Sequence, residues 1–528
     1  MASVWIGTIE LRPVADRFTR GTLVMRRMAS PPSAWDSAAI FVLATAISLV
    51  GAGRPSFWYD EAATISASAS RSLPELARLL SHIDAVHGLY YLFMHGWFEL
   101  FPPTEFWSRV PSGLAVGAAA AGVVVLAKQF SSRPAAVCSG VAFAVLPRVT
   151  WAGIEARPSA FSAMSAVWIS MLLVLAVRRD KPALWLAYAA ALLMAIVLDV
   201  YLVLMVLVHA VFVASVRRNR PAIPRFALAA GATLVVSSPF LFFARSQHGQ
   251  LGWIPPLSGH TFIDVGIVQY FDRSVPLLLL AGSVVAAAVL LHRNQLGRLS
   301  DSDRQQLCLV IAWVVIPTSI LLIYSAIAGP AYYPRYLCFT APAVALLLGR
   351  CIVAVARTPV RMTALLVAFA IAALPNYLHV QRGPYAKYGM DYSQVANLIR
   401  DKAQPGDCLL LDDRVKWKPP PMRPLLAARP DAYRKLVDVG LWYSAISTDT
   451  LWDTNIAPFA VADKINQCAV LWTISQRDPT LPSHEEGVAL PPGPEFSTAN
   501  AFWVPRDLGF RLVERWQFHL AQVIKAVR

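Results

Sequence analysis

The chain has 528 residues, of which 56% are hydrophobic and only 15% are charged. This composition excludes a soluble globular protein of that length and places most of the chain in a lipid bilayer. The net charge of +15 does not indicate nucleic-acid binding, because the basic residues form short clusters between apolar runs. Clusters of that kind are typical of the loops between membrane spans.

The first 35 residues are basic and precede an apolar run at 36–53. No small-residue cleavage site follows this run, so the sequence predicts a retained first helix rather than a signal peptide. We therefore expect residues 1–35 to be a cytoplasmic lead into the membrane.

Eleven apolar segments are predicted to cross the membrane, although several are near the short end of the required length. They are 36–53, 109–127, 134–150, 159–177, 183–199, 201–216, 225–243, 274–291, 306–327, 336–349 and 362–378. Lys and Arg concentrate in alternate loops, which favours a cytoplasmic N-terminus. The prediction is a multi-pass plasma-membrane protein with a membrane module at 36–379. The first outer loop (54–108) and a C-terminal domain (380–528) then lie outside the cytoplasm.

The first outer loop begins with two adjacent carboxylates, Asp60 and Glu61. Carboxylates are costly to keep near hydrocarbon, so this pair is a candidate functional site. They would also suit the N-terminus of a helix, where they complement the helix dipole, and both roles are compatible. The rest of the loop predicts two short helices lying on the membrane, at 62–82 and 88–101.

The C-terminal region has more charge, many prolines and no run long enough to span a membrane. It predicts a small α/β domain with a helix at 392–402, short buried strands at 408–411 and 468–472, and a closing hairpin within 510–527. Cys408 and Cys468 each open a predicted strand on the oxidising side, so they are a possible disulfide if those strands are neighbours. No cysteine cluster has metal-binding spacing.

Five short motifs occur in an order typical of one enzyme family. They are Trp58-Tyr59-Asp60-Glu61-Ala62, His87-Gly88-Leu89-Tyr90-Tyr91 followed by Arg109-Val110-Pro111-Ser112, Ala156-Arg157-Pro158, and Tyr333-Pro334-Arg335-Tyr336-Leu337. Over roughly residues 36–350 the chain resembles the GT-C fold glycosyltransferases of the protein O-mannosyltransferase and aminoarabinose-transferase type (glycosyltransferase families 39 and 83). The family commonly has His-Pro-Pro where this chain has His87-Gly88-Leu89.

The resemblance implies transfer of a sugar from a polyprenyl-phosphate donor to an extracytoplasmic glycan, lipid or protein. It makes Asp60 the base that deprotonates the acceptor hydroxyl, with Glu61 orienting the acceptor or sharing a hydrogen-bond network. A single displacement would invert the anomeric centre. Mannose is the first expectation for the sugar, with arabinose or galactosamine as alternatives, and neither a cofactor nor a metal is expected.

The donor phosphate needs cationic or hydrogen-bonding partners, and three residues are candidates. Arg157 and Arg335 have planar guanidinium groups suited to phosphate, and His87 would assist them. Arg157 would otherwise pair with Glu155 or reach the headgroups, Arg335 would be an interfacial arginine, and His87 would cap a helix. Four further residues are expected to line the cavity: Tyr59, Asp84, Asp199 and Tyr333.

Two other functions remain compatible with the sequence. A transporter or flippase of a lipid-linked sugar would need a similar cavity, but it has little use for a carboxylate pair in an interfacial loop, and the inverted repeats common among transporters are not evident. A non-catalytic scaffold of a cell-envelope complex is the third alternative.

Overall fold

In this computed structural model, the structure describes residues 34–293, 300–413, 415–416, 422–490 and 499–528. The predicted cytoplasmic segment 1–35 lies outside these residues, apart from its last two positions. The described residues form one compact unit. The α-helices before the C-terminal region are α1 (Ala34–Leu49), α2 (Tyr59–Ser68), α3 (Leu73–His82), α4 (Gly88–Phe98), α5 (Glu105–Ala127), α6 (Arg133–Val145), α7 (Pro147–Ala152), α8 (Ser159–Arg179), α9 (Pro182–Leu198), α10 (Met205–Ala214), α11 (Ile223–Ser246), α12 (His260–Ile263), α13 (Gln269–Phe271), α14 (Val275–His292), α15 (Asp301–Ile327), α16 (Ala341–Ala356) and α17 (Pro359–Pro375).

Seven helical segments among the described residues are long and apolar enough to cross a membrane. They are Glu105–Ala127, Ser159–Arg179, Asn219–Ser246, Val275–His292, Asp301–Ile327, Pro334–Ala356 and Pro359–Gln381. Shorter apolar helices at Trp35–Leu49, Arg133–Val145, Pro182–Leu198 and Val200–Ala214 occupy the other four predicted spans. All eleven predicted spans are therefore helical, while the number that cross the membrane stays a prediction.

One predicted span, 134–150, is broken in the structure. Helix α6 ends at Val145, and the separate helix α7 begins at Pro147. The reason is the proline, which has no backbone N–H to donate and which drives Leu146 into an extended conformation.

The first loop contains three short α-helices rather than the two predicted. The segment 62–82, expected to be one helix, is divided into α2 and α3. Ser72 starts α3, because the Glu75 carboxylate accepts a hydrogen bond from the Ser72 backbone N–H at 2.8 Å. Pro74 also lies in the first helical turn, where its missing N–H costs nothing.

The C-terminal domain is built on one six-stranded mixed sheet. Its strands are β1 (Cys408–Leu411), β2 (Val437–Asp438), β3 (Val470–Gln476), β4 (Val488–Leu490), β5 (Arg511–Gln517) and β6 (Ala521–Val527), in the order β2-β1-β3-β6-β5-β4. The helices are α18 (Tyr392–Lys402), α19 (Arg423–Ala428), α20 (Ala462–Asn466) and α21 (Asn500–Asp507). The helix at 392–402 lies where it was predicted, β5 and β6 form the predicted antiparallel hairpin, and the strand predicted at 468–472 runs over 470–476.

The two strands that follow the cysteines are neighbours. Strands β1 and β3 pair in parallel, with Cys408 opposite Leu471. Cys408 and Cys468 form a disulfide with a Cα–Cα distance of 6.0 Å. This bond ties the first strand of the domain to the chain entering the third.

The first loop and the C-terminal domain share one hydrophobic core. Phe57, Trp58 and Ile65 of the loop belong to the same buried cluster as Val395 and Trp472 of the domain. Helix α2 is therefore held between the membrane helices and the sheet, and this position decides where its first residues point.

The disulfide can be tested by counting thiols. Protein denatured without reductant should react with four equivalents of iodoacetamide per chain, at Cys138, Cys308, Cys338 and Cys351. After reduction all six cysteines should react. As a control, Cys308→Ser should remove one equivalent in both states. Six reactive thiols before reduction would contradict the pairing.

Candidate active site

A buried ion pair fixes the start of helix α2. Arg109, on α5, donates two hydrogen bonds to the Glu61 carboxylate, at 2.8 and 2.7 Å, and both side chains are fully buried. The remaining Arg109 N–H groups donate to the backbone carbonyls of Ala52, Pro55 and Ser56. Two buried charges are tolerated only when such partners replace their lost hydration, and here the guanidinium is fully engaged.

The same carboxylate also holds the segment between α7 and α8. Glu61 Oε1 accepts a hydrogen bond from the Ala156 backbone N–H at 3.0 Å, and the Thr64 hydroxyl donates to the Ala156 carbonyl at 2.8 Å. The Ser112 hydroxyl donates to the Glu155 carbonyl at 2.6 Å. Glu61 is not among the residues that line the cavity, and its carboxylate is engaged by Arg109 and Ala156, while its predicted role towards the acceptor stays a prediction.

Asp60, the neighbouring residue, faces the opposite way, into a cavity. Its carboxylate pairs with Arg335 at 2.8 Å. The Asp60 side chain is 19% exposed and the Arg335 side chain 8%. Adjacent residues on a helix point in different directions, so anchoring Glu61 in the core turns Asp60 towards the cavity.

Aromatic rings surround the Arg335 guanidinium. Its carbon lies 4.8 Å from the ring centre of Trp58, 5.1 Å from Tyr333, 5.4 Å from Trp253 and 5.7 Å from Tyr336. The faces of these rings attract a cation. The cage fixes the position of the guanidinium beside Asp60, and Trp253 is half exposed at its outer side.

Arg157 begins a second polar chain in the cavity. It donates to the Tyr91 hydroxyl at 2.9 Å and lies 2.6 Å from Nε2 of His87. Tyr91 in turn donates to Asp84 at 2.8 Å. Burial, followed by the charges of Arg157 and Arg335, lowers the pKa of His87 well below its ordinary value. His87 is therefore neutral at physiological pH, and its Nε2 accepts the hydrogen bond from Arg157.

The cavity has a volume of about 540 Å³. It brings together seven of the predicted site residues: Tyr59, Asp60, Asp84, His87, Arg157, Asp199 and Arg335. Apolar side chains of the membrane helices also line it, among them Leu198, Leu241 and Leu321. The site therefore combines charged groups with apolar surface.

Asp199 lies at the turn between α9 and the 3₁₀ turn that leads into α10. It accepts hydrogen bonds from the Ser162 hydroxyl at 2.6 Å and from the Tyr201 backbone N–H at 3.0 Å. It lines the cavity and at the same time caps the turn.

Tyr333 lies on the other side of Arg335, in a second cavity of about 680 Å³. Arg148, Asp272 and His379 also line that cavity, and Arg335 lines both cavities. The Arg335 guanidinium therefore stands at a partition between two spaces, with Asp60 on one side of it.

Trp253, Lys387 and Trp452 lie near the site and were not predicted as site residues, and Glu155 was predicted only as an alternative partner of Arg157. Among the described residues Arg157 pairs with His87 and Tyr91 instead. Lys387 and Trp452 come from beyond the last span, and no local motif marks either of them.

The described residues contain no group of three or more His, Cys, Asp or Glu side chains that could hold a metal ion.

Two solved structures are similar to this chain over almost its whole length. ArnT from Cupriavidus metallidurans in the apo state aligns with a TM-score of 0.53 at 13% identity, covering 93% of this chain and 98% of that one. The same protein bound to undecaprenyl phosphate aligns with a TM-score of 0.52 at 14% identity, with the same coverage. The Archaeoglobus fulgidus oligosaccharyltransferase is similar at a TM-score of 0.46 and 11% identity, covering 84% of this chain and 68% of that one.

No model of a known protein family and no curated protein sequence matches the chain. The structural similarity nevertheless identifies the architecture. The chain has the GT-C fold of multi-pass membrane glycosyltransferases, with a small C-terminal α/β domain, and this part of the sequence prediction is confirmed.

The buried ion pair makes a prediction about stability. Glu61→Gln leaves the Arg109 charge buried without its partner, which costs on the order of 3–5 kcal/mol. We expect the variant to unfold at a clearly lower temperature than the wild type in detergent. Glu99→Gln, an exposed carboxylate in the same loop, is the matched control and should unfold like the wild type. Equal melting of the Glu61 variant and the wild type would contradict the structural role.

Proposed function

We propose that the protein is a membrane glycosyltransferase that moves a sugar from a polyprenyl-phosphate donor to a hydroxyl on the extracytoplasmic side. The observation that carries this proposal is one cavity lined by a carboxylate, Asp60, by the partly buried Arg157 and the buried Arg335, and by several apolar side chains. The phosphate of such a donor would match the arginines, and its prenyl chain would match the apolar side chains. The ArnT structure with undecaprenyl phosphate supports a lipid phosphate as ligand of this fold.

The donor phosphate would bind at the charged groups of the cavity. Arg157 and Arg335 offer planar pairs of N–H donors, which suit phosphate oxygens. Neutral His87 adds no charge but holds Arg157 in place through Nε2. The polyprenyl chain would extend along the apolar side chains of α9, α11 and α15.

Asp60 would act as the base. It removes the proton from the acceptor hydroxyl, and the acceptor oxygen then forms a bond to the anomeric carbon of the sugar. The bond between that carbon and the phosphate oxygen breaks, and polyprenyl phosphate leaves with the electron pair. The two arginines stabilise the negative charge that develops on the departing phosphate. One displacement inverts the anomeric centre.

The ion pair between Asp60 and Arg335 has a consequence for this sequence of events. Without donor, Arg335 engages the carboxylate that is needed as base. A phosphate that binds Arg335 competes for the same N–H groups and releases Asp60 towards the acceptor. Donor binding would therefore activate the base.

Glu61 would be a positioning residue, since its carboxylate is fully engaged by Arg109 and Ala156. Mannose remains our first proposal for the sugar, with arabinose and galactosamine as alternatives. The cytoplasmic N-terminus and the extracytoplasmic C-terminal domain are proposed from the distribution of Lys and Arg between loops.

Transfer activity tests the function. Wild-type or variant protein is expressed in a strain that lacks the gene. Membranes from these cells are supplied with radiolabelled polyprenyl-phosphate mannose, arabinose or galactosamine, and labelled envelope material is measured. We expect the wild type to transfer one of these sugars and Asp60→Asn to be slower by about 10²–10⁴-fold, because the base is lost. Glu99→Gln should retain full activity.

Two results would contradict this proposal. Full activity of Asp60→Asn would leave the carboxylate as a helix-terminal residue only. Movement of a labelled lipid-linked sugar across the membrane, without transfer to any acceptor, would establish the transporter alternative instead.

The phosphate clamp makes a separate prediction. Arg157→Gln and Arg335→Gln should each weaken binding of undecaprenyl phosphate by roughly tenfold or more, since a charge-assisted hydrogen bond is lost. Arg400→Gln, an exposed arginine on α18, is the control for the loss of one positive charge. Binding to protein in lipid nanodiscs measures the effect. Equal affinities for all four proteins would place the phosphate elsewhere.

A further inference from the structure

Two oppositely charged side chains beside the active site, Glu155 and Lys387, each have a buried polar atom without a hydrogen-bond partner among the described residues. Glu155 is 1% exposed and lines the cavity, and its Oε1 accepts no hydrogen bond among the described residues. Lys387 is fully buried, and its Nζ likewise makes no hydrogen bond there. Buried polar atoms are normally satisfied, and exceptions at a functional site call for an explanation. The proposed mechanism uses neither group.

The two residues come from different parts of the chain, and the charge of Glu155 acts on Lys387. Glu155 follows α7, one residue before the backbone N–H that binds Glu61. Lys387 lies in the segment that leads from the last membrane helix into the C-terminal domain. Its Nζ lies 3.9 Å from the ring centre of Trp151, so the aromatic face stabilises its charge on one side.

The charges around Lys387 are mixed. Glu155 and Glu61 raise its pKa, Arg109 and Arg382 lower it, and burial is the largest influence, so that the pKa falls to about 8. Glu155 and Lys387 are not within 4 Å of each other among the ion pairs of the described residues. Each of the two groups is therefore influenced by the charge of the other, and its hydrogen-bonding capacity remains available.

We propose that Glu155 binds a hydroxyl group of the sugar carried by the donor, and that Lys387 is the positioning residue that orients the Glu155 carboxylate for this contact. The inference rests on the proposed function and deepens it. Sugar hydroxyls are the donors that an ionised carboxylate accepts from. Asp60 and Glu155 line the same cavity as Arg157 and Arg335, so a sugar attached to a phosphate at the two arginines would lie beside these carboxylates.

This arrangement separates recognition of the phosphate from recognition of the sugar. The arginines would bind any polyprenyl phosphate, whereas Glu155 would distinguish a donor that carries its sugar from the product that has lost it. Lys387 would make the connection to the C-terminal domain part of the sugar site. The released carrier then binds less tightly than the donor, which favours its departure after transfer.

The test compares lipid probes with and without a sugar. Wild type, Glu155→Gln, Lys387→Met and the double variant are reconstituted as full-length protein in lipid nanodiscs, and their thermal unfolding is checked first. Binding is measured for undecaprenyl phosphate and for undecaprenyl phosphate linked to mannose, arabinose or galactosamine. The sugar-linked probe that the wild type binds most tightly is used for the variants.

We expect Glu155→Gln to weaken binding of that probe by roughly tenfold while binding of undecaprenyl phosphate stays within about twofold. Lys387→Met should produce a smaller loss of the same kind. The double variant should match Glu155→Gln alone, because Lys387 acts through Glu155 and the two effects are then not additive.

The pH dependence identifies the part played by Lys387. Its charge is present below pH 8 and is lost as the pH rises through about 8, so wild-type affinity for the sugar-linked probe should fall over that range. The sugar-linked phosphate is a diester and keeps one charge throughout. Lys387→Arg retains its charge and should show no such fall. A purely structural lysine would not give this difference.

The outcomes separate the inference from the proposed function. If the wild type binds no polyprenyl phosphate at all, both fail. If it binds undecaprenyl phosphate as tightly as every sugar-linked probe, or if Glu155→Gln weakens both kinds of probe equally, only the sugar contact is overturned. A loss of turnover in Glu155→Gln at unchanged donor affinity would likewise overturn it, since Glu155 would then act in the chemical step.

Discussion

The site depends on the buried pair between Glu61 and Arg109. One carboxylate binds a guanidinium on α5 and a backbone N–H at Ala156, so it fixes the start of α2 and the segment after α7 together. Asp60 and Glu155, each the residue just before one of those two anchored positions, are thereby held at one cavity. A pair of buried charges adds little net stability compared with apolar packing, but it has a defined geometry, and geometry is what a catalytic carboxylate needs.

The C-terminal domain contributes contacts to the candidate site. The Trp452 indole N–H donates to the Tyr59 hydroxyl at 2.9 Å, and Leu451 lines the cavity. The Ser66 hydroxyl donates to the Leu451 carbonyl at 2.7 Å. Two contacts therefore hold α2, and with it the residue next to Asp60, against the C-terminal domain.

Sequence reasoning singled out residues that stand in short local motifs and missed residues that reach the site from distant parts of the chain. Asp60, Arg157 and Arg335 stand in short motifs at the ends of apolar segments, where charge is costly and therefore conspicuous. The helix breaks at Pro147 and Ser72 were overlooked because the apolar pattern continues across them. Lys387 and Trp452 reach the site from the C-terminal region, and only the folded packing brings them near α2. The pairing of the two cysteines could not be decided from the sequence for the same reason. It depends on which strands are neighbours, and the sequence of a single strand does not show its neighbours.

The central claim is that the cavity between Asp60, Arg157 and Arg335 binds a lipid-linked phosphate and that this binding frees the base. The most direct measurement is a structure of the full-length protein in nanodiscs with undecaprenyl phosphate bound. The account predicts phosphate oxygens within hydrogen-bond distance of both arginines, the prenyl chain along the wall of Leu241 and Leu321, and an Asp60 carboxylate no longer paired with Arg335. A phosphate bound away from both arginines, with the Asp60–Arg335 pair intact, would contradict it.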